Sequence, residues 1–192
     1  FMIPLEGNWS RGFAFDLHTT ESHYLGINPA GIDVFENKYT EMGNFVRNFK
    51  YKNEKKALHG IIRLLRTINW QTKFDFIIPI PPTDHTRAFQ PVTEIAIALG
   101  AYLKTFVLKD VLAKVPGGEQ LKAIREPDER LRTLRETMRI RPEPRLIGKS
   151  VLLVDDLYRS GATLSIATDL LMKVAKVEVV CVLTMTKTRR HQ

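Results

Sequence analysis

Cysteine is nearly absent from this chain, and so are long apolar runs, histidine clusters and internal repeats. The one cysteine, Cys181, lies inside the apolar run VEVVCVLTM, so neither an internal disulfide nor a cysteine-based zinc site can form. A reducing, cytoplasmic compartment is expected. No apolar stretch approaches the ~20 residues a membrane helix needs, and no membrane partner is expected. The start, FMIPLEGNW, lacks a basic region followed by an apolar segment, so no signal peptide is read there and Phe1 is given no function. The histidines, His18, His23, His59, His85 and His191, are scattered without zinc-ligand spacing. Trp9 and Trp70 read as core or interface anchors.

What is present bounds the chain further. Its 192 residues suit one domain with a substantial core, and 44% hydrophobic with 26% charged residues excludes disorder. The net charge of +8 implies a field that attracts polyanions, either nucleic acid or polyphosphate metabolites. Basic residues concentrate from Lys122 to Lys149 and in the tail TKTRRHQ. Acids interleave in the first stretch, so it reads either as a solvated, salt-bridged helix face or as an anion-binding surface.

Strand and helix signals alternate along the chain. GFAFDL and SHYLGI suggest an N-terminal hairpin turning at HTTE, and Thr40 caps a helix over the next residues. A second helix carries Leu58, Ile61, Ile62, Leu65 and Ile68 on one face. FDFIIPIPP is a short strand running into a proline turn, and PVTEIAIALGAYL a helix with Pro91 in its first turn. TFVLKDVLA is a strand, KVPGGEQ a loop with a Gly-Gly hinge, and residues 127–138 a charged helix. SVLLVDD, GATLSIATDLLMKVA and VEVVCVLTM then read as strand, helix and strand. Strands this rich in Val, Leu and Ile, alternating with helices, predict an α/β fold with a parallel sheet covered on both faces. Ligands of such folds sit beyond the carboxyl ends of the strands.

The string VLLVDDLYRSGATL carries the chemistry. Asp155 and Asp156 stand at the exit of an apolar strand, where alternation would separate them unless the backbone turns at once; the following turn residues predict that it does. A pair of ionised carboxylates only accepts hydrogen bonds, which suits a vicinal diol such as a ribose. RSGAT then supplies a glycine, a series of backbone N–H groups and two hydroxyls at a helix N-terminus, which suits a phosphate. Acids at strand ends and hydroxyls at caps have ordinary structural uses. The full string, with acceptors for a sugar diol and donors for a phosphate within nine residues, favours a ribose 5-phosphate moiety.

VLLVDDLYRSGAT resembles, along its whole length, the phosphoribosyl pyrophosphate (PRPP) motif of type I phosphoribosyltransferases. PIPPTDHTRAFQPVTEIAIALG and EQLKAIREPDERLRTLRETMRI are similar to further segments of the ComF/GntX-like family of these enzymes. The resemblance covers roughly residues 50–185. It implies a type I phosphoribosyltransferase domain over 51–192, with residues 1–50 an extension packed on the core and a mobile hood at about 112–140. It implies that Asp155 and Asp156 hold the ribose hydroxyls, that Arg159, Ser160, Gly161, Ala162 and Thr163 wrap the 5′-phosphate, and that Pro82, Thr83, Asp84 and His85 form a pyrophosphate loop with Arg87 near the diphosphate. Arg125 or Arg130 would come from the hood to the leaving group. Mg²⁺ would be carried by PRPP and not held in a protein cage. The activity implied is pentosyl transfer from PRPP to a small-molecule acceptor. A PRPP-sensing or nucleic-acid-associated accessory, as in ComF-like DNA uptake, is the other implied class, and a homodimer a further expected assembly.

The departures are specific. The four-cysteine module with which competence-type relatives often begin is missing. The family's RGFNQ stands here as RAFQP, with Ala88 for glycine and Gln90 for asparagine. Arg159 occupies a place where 6-oxopurine enzymes have an aspartate that handles a base proton. A guanidinium cannot accept a proton at neutral pH, which disfavours that kind of purine salvage.

Overall fold

The structure, a computed structural model, describes residues 2–115 and 126–189, the side chain of Arg130 apart. In chain order its strands are β1 (Ile3–Pro4), β2 (Arg11–Leu17), β3 (Thr19–Ile27), β4 (Asp33–Tyr39), β5 (Phe76–Pro79), β6 (Phe106–Val107), β7 (Leu112–Lys114), β8 (Met138–Ile140), β9 (Ser150–Tyr158) and β10 (Val179–Lys187). The α-helices are α1 (Glu41–Lys52), α2 (Lys55–Leu65), α3 (Pro91–Leu103), α4 (Pro127–Thr137) and α5 (Ala162–Asp169).

The near-continuous apolar strands sort their side chains by alternation onto two buried faces. Ile78, Val151, Leu153, Val180 and Val182 face one core, shared with Trp9, Leu134 and α5. Ile77, Leu152, Val154, Cys181 and Leu183 face the other, shared with α1, α2 and α3. Leu153, fully buried, is a place where one truncation costs much: Leu153→Ala should lose about 2–5 kcal/mol. The main sheet runs β1, β2, β10, β9, β5, β6, and every neighbouring pair is parallel except β1 with β2. This is the covered, mostly parallel α/β sheet that the strand composition predicts.

Chain direction creates the functional position. From β5 the chain crosses through α3 to β6, and from β9 it crosses through α5 to β10, on the other side. The crossovers diverge between neighbours β5 and β9, leaving a crevice at their carboxyl ends.

Two elements sit over that end of the sheet. Thr40 caps α1 as expected, its Oγ accepting from the Gly43 N–H at 2.9 Å while its hydroxyl donates to the Leu17 carbonyl at 2.6 Å. Gly43 is required there, because a Cβ would collide with the His18 carbonyl oxygen. That close approach fixes α1 against the exit of β2.

The N-terminal hairpin is not the one predicted. Residues 11–17 do not turn back at HTTE but enter the main sheet beside β10, and 19–27 pair instead with 33–39 in a separate two-stranded sheet. The turn lies at Asn28–Ile32, where the Asn28 carboxamide accepts from Ala30 and Ile32 N–H groups and Gly31 has φ +76°. Asn-Pro-Ala-Gly was the stronger turn signal, and the charged strand DVFENKY lacked the apolar alternation that would have marked it. TFVLKDVLA likewise splits, β6 joining the main sheet and β7 pairing with β8. α5 passes into a π-turn at Leu170–Val174. The middle of the expected hood, including the Gly-Gly hinge, lies outside the described residues; β7, α4 and β8 are its described parts.

Candidate functional site

At the crevice, β9 departs from expectation in a way that sets the chemistry. The backbone does not turn after Asp156: Leu157 and Tyr158 continue in register with Thr186 and Lys187 of β10. Parallel pairing on that side keeps the strand extended, so alternation sends the two carboxylates to opposite faces. Both nevertheless line one cavity of about 460 Å³.

Each carboxylate has its own environment. Asp156, 8% exposed, accepts from Lys50 Nζ of α1 at 2.7 Å. Burial works against the Lys50 charge, but attraction to Asp156 outweighs it and holds the ammonium above its ordinary range. Among the described residues Asp155 has no such direct ion pair. Burial, then the neighbouring Asp156 charge, push it up to about 7, against the Asp156 N–H that donates to it at 2.8 Å and the more distant Lys114 and Lys50. Lys114, at the end of β7, donates to Thr83 Oγ at 3.2 Å; burial lowers its pKa despite attraction from both aspartates. Near neutral pH the wall therefore offers one paired carboxylate and one poised to ionise.

The opposite wall follows β5. Ile80, Pro81 and Pro82 leave the sheet, and Thr83, Asp84 and Arg87 face the cavity. Asp84 organises the loop by accepting from the Thr86 hydroxyl at 2.6 Å and the Thr86 N–H at 2.9 Å, which hold its carboxyl below the usual range. Arg87 lies 3.5 Å from Asp84, and Gln90 reaches back to the Asp84 carbonyl at 3.0 Å, so the amide that stands for the family's asparagine closes the turn. Phe89 packs on Phe49 of α1 with centroids 5.3 Å apart, which fixes this loop to the helix bearing Lys50.

The third side is the turn into α5. Gly161 has φ +78°, and a Cβ there would meet the Tyr158 ring at 2.9 Å. Only glycine fits. The Ser160 hydroxyl accepts from the Ala162 N–H at 3.4 Å. Arg159 and Thr163 line the cavity, while Ser160, Gly161 and Ala162 form the turn beside it.

The structure thus brings together Pro82, Thr83, Asp84, Arg87, Asp155, Asp156, Arg159 and Thr163. His85 turns aside, its Nε2 3.0 Å from the Lys114 carbonyl oxygen. Arg125 and the side chain of Arg130 lie outside the described residues. Sequence reasoning missed Lys50, Lys114 and His18. Lys50 meets an aspartate 106 positions away and sits in no motif, so no local signal could have found it.

Beyond the carboxyl ends of β2 and β10 lies a second, open groove of about 1140 Å³, walled by β3 and β4. Arg159 lines both cavities. His18 in this groove stands 3.0 Å from Thr186 Oγ and edge-on to Tyr39. Burial, with Arg159 and Lys50, lowers its pKa against the pull of Asp156, so the ring is neutral near pH 7. Among the described residues no cluster of three metal-ligating side chains occurs, and no helix is long and apolar enough to cross a membrane.

The family model described as phosphoribosyl transferase domain matches residues 50–192. Among solved structures, the chain is similar to adenine phosphoribosyltransferase from Thermoanaerobacter pseudethanolicus (17% identity, 86% of this chain and 95% of that one, TM-score 0.47). It is also similar to the Saccharomyces cerevisiae adenine phosphoribosyltransferase (14% identity, 86% and 83%, TM-score 0.48). An orotate phosphoribosyltransferase from Francisella tularensis aligns at 11% identity over 87% and 79%, with a TM-score of 0.38. No curated protein matches the sequence.

Proposed function

The chain belongs to the phosphoribosyl transferase domain family, and from that premise we propose that it moves the ribose 5-phosphate of PRPP onto a small acceptor at the crevice between β5 and β9. Family membership makes it a pentosyltransferase. The observation that carries the site assignment is the convergence, in one 460 Å³ cavity, of the two aspartates, Thr83, Asp84 and Arg87 of the loop after β5, and Arg159 and Thr163 from either side of the turn into α5.

In this reading Asp155 and Asp156 accept hydrogen bonds from the ribose hydroxyls. The N–H groups of Ser160 to Thr163, with the Thr163 hydroxyl, receive the 5′-phosphate at the start of α5. Pro82, Thr83 and Asp84 of the loop, with Arg87 and Lys114, face the diphosphate, and Arg125 or Arg130 joins from the hood. The C1–oxygen bond breaks with its electron pair leaving on pyrophosphate, the acceptor atom bonds C1, and the acceptor proton passes to water. Little covalent help is needed, so positioning, cationic stabilisation of the leaving group and exclusion of water supply the rate.

The donor chemistry fits a divalent cation arriving with the ligand: Asp155 and Asp156 are hard oxygen donors at the cavity wall. Bound Mg²⁺ would neutralise charge on the diphosphate. The narrower assignment to a ComF/GntX-like group rests on the resemblance of PIPPTDHTRAFQP and EQLKAIREPDERLRTLRETMRI alone.

Calorimetry with PRPP and Mg²⁺ tests the reading, followed by pyrophosphate release across a panel of acceptors. Saturable binding that weakens on Asp155→Asn is expected. Absence of binding at millimolar PRPP overturns it.

A further inference from the structure

The groove beyond β2 and β10 is charged in one sense. Arg159, Lys187 and Arg189 line it, and no carboxylate does among the described residues. Of the acids nearest in sequence, Asp16 accepts from the Leu17 N–H at 2.7 Å, Glu21 pairs with Lys38 at 2.8 Å, and Glu36, between the lining residues Phe35 and Asn37, falls by strand alternation on the other face of β4. Lys187 Nζ stands 5.6 Å from the centroid of the Tyr158 ring, and Arg189 Nε donates to the Thr19 carbonyl at 3.1 Å. Both cations are therefore steered by neutral groups, and neither carries an ion pair among the described residues.

Position adds to charge. Arg159 walls both this groove and the crevice assigned to PRPP, so the two spaces meet at a guanidinium. A molecule seated in the groove reaches the crevice past Arg159. The groove also offers the Phe35 ring and the apolar Leu17, alongside the polar Ser22 and Asn37. Three cations without compensating acids favour a ligand that brings its own negative charge, and a planar guanidinium pairs best with a carboxylate.

We propose that the acceptor is a planar, carboxylate-bearing molecule, held in this groove by Arg159, Lys187 and Arg189. The inference rests on the transferase reading and names the acceptor class for it. A neutral acceptor would leave the three cations with nothing to pair, and a basic one would be repelled by them.

The test uses matched probes on the full chain saturated with PRPP and Mg²⁺: benzoate, pyridine-3-carboxylate and imidazole-4-carboxylate, each against its carboxamide. Binding is followed by calorimetry and by NMR shifts at Thr19, Lys187 and Arg189. The carboxylates should bind about tenfold or more tightly than the carboxamides, and Lys187→Met or Arg189→Gln should each erase about tenfold of that preference. Affinity for PRPP and thermal stability should be unaltered in these two variants, which separates loss of an anion contact from misfolding. Equal affinity for the two probe series, no binding of either at millimolar ligand, or a preference untouched by both substitutions overturns the inference while PRPP binding leaves the transferase reading standing. If the unaltered chain binds carboxylates but not PRPP, the transferase reading fails and the acceptor assignment falls with it.

Discussion

The two cavities at the carboxyl end of the sheet are built on opposite electrostatic plans. The crevice between β5 and β9 mixes signs, with Asp155, Asp156 and Asp84 facing Lys50, Lys114 and Arg87. The groove beyond β2 and β10 is cationic and opens to solvent between a hairpin and the sheet. A mixed site can bind a ligand that donates through hydroxyls and accepts through phosphates at once. A one-sign site selects for charge. Arg159, common to both, is where a sugar phosphate and a second molecule would be brought together.

The sharpest way to break this contrast is at Gly161. Any side chain at φ +78° is strained and strikes the Tyr158 ring, so Gly161→Val should abolish measurable PRPP binding, a loss of at least about a hundredfold. A melt within a few degrees of the unaltered chain would assign the loss to the turn. Retained binding would remove the turn from the phosphate site.

The next effect concerns the carboxylates one at a time. Each charge-assisted contact contributes roughly 1.5–3 kcal/mol, so Asp155→Asn or Asp156→Asn should weaken PRPP about ten- to a hundredfold by calorimetry. The two should differ in stability. Asp156→Asn strands the Lys50 ammonium in a half-buried place and should lower Tm by a few degrees, about 2–4 °C per kcal/mol at this size.

Asp155 should respond in the other direction, through pH. Its folded pKa is raised to about 7 from an unfolded value near 3.9, so between those limits the native state keeps a proton the unfolded chain has lost. Its contribution to stability is therefore full below about pH 4 and is lost as pH rises through about 7. Asp155→Asn should melt higher than the unaltered chain at pH 8 and equal to it at pH 4. PRPP affinity of the unaltered chain should meanwhile rise from pH 6 to pH 8 as Asp155 ionises. A melt difference independent of pH would refute this account.

The smallest effect sharpens the reading of the basic surface. If the groove selects small carboxylates, single-stranded DNA should bind weakly at physiological salt and with a shallow salt dependence. A log-log slope of several units, reduced by Lys187→Met or Arg189→Gln, would reassign those cations to a polyanion.

The legible part of the molecule was the part written locally. Pro91 and Leu103 bound α3 as its composition predicts, and Thr40 caps α1 through a contact three residues away. Asp155, Asp156, Gly161 and Thr163 were readable because strand, turn and helix start follow within nine residues. Lys50 on Asp156 and Lys187 beside Tyr158 were not readable, since the first depends on where α1 docks and the second on which strands are neighbours. Alternation in GFAFDL fits a partner on either side, so a hairpin and a parallel pairing read alike. Only the parallel pairing with β10 decides, and nothing local encodes it.

That pairing also orders events during synthesis. Residues 11–17 emerge early but have their parallel partner only in residues 179–187, so β2 stays without it until nearly all of the described chain has been made. The strands that frame the crevice, β5 and β9, pair across a shorter separation, Phe76 with Val151, 75 positions on. Closing the longer loop costs more entropy and is slower. The pairing that frames the crevice is available before β10 is made, and the cationic groove completes last, when β10 slots between β9 and β2.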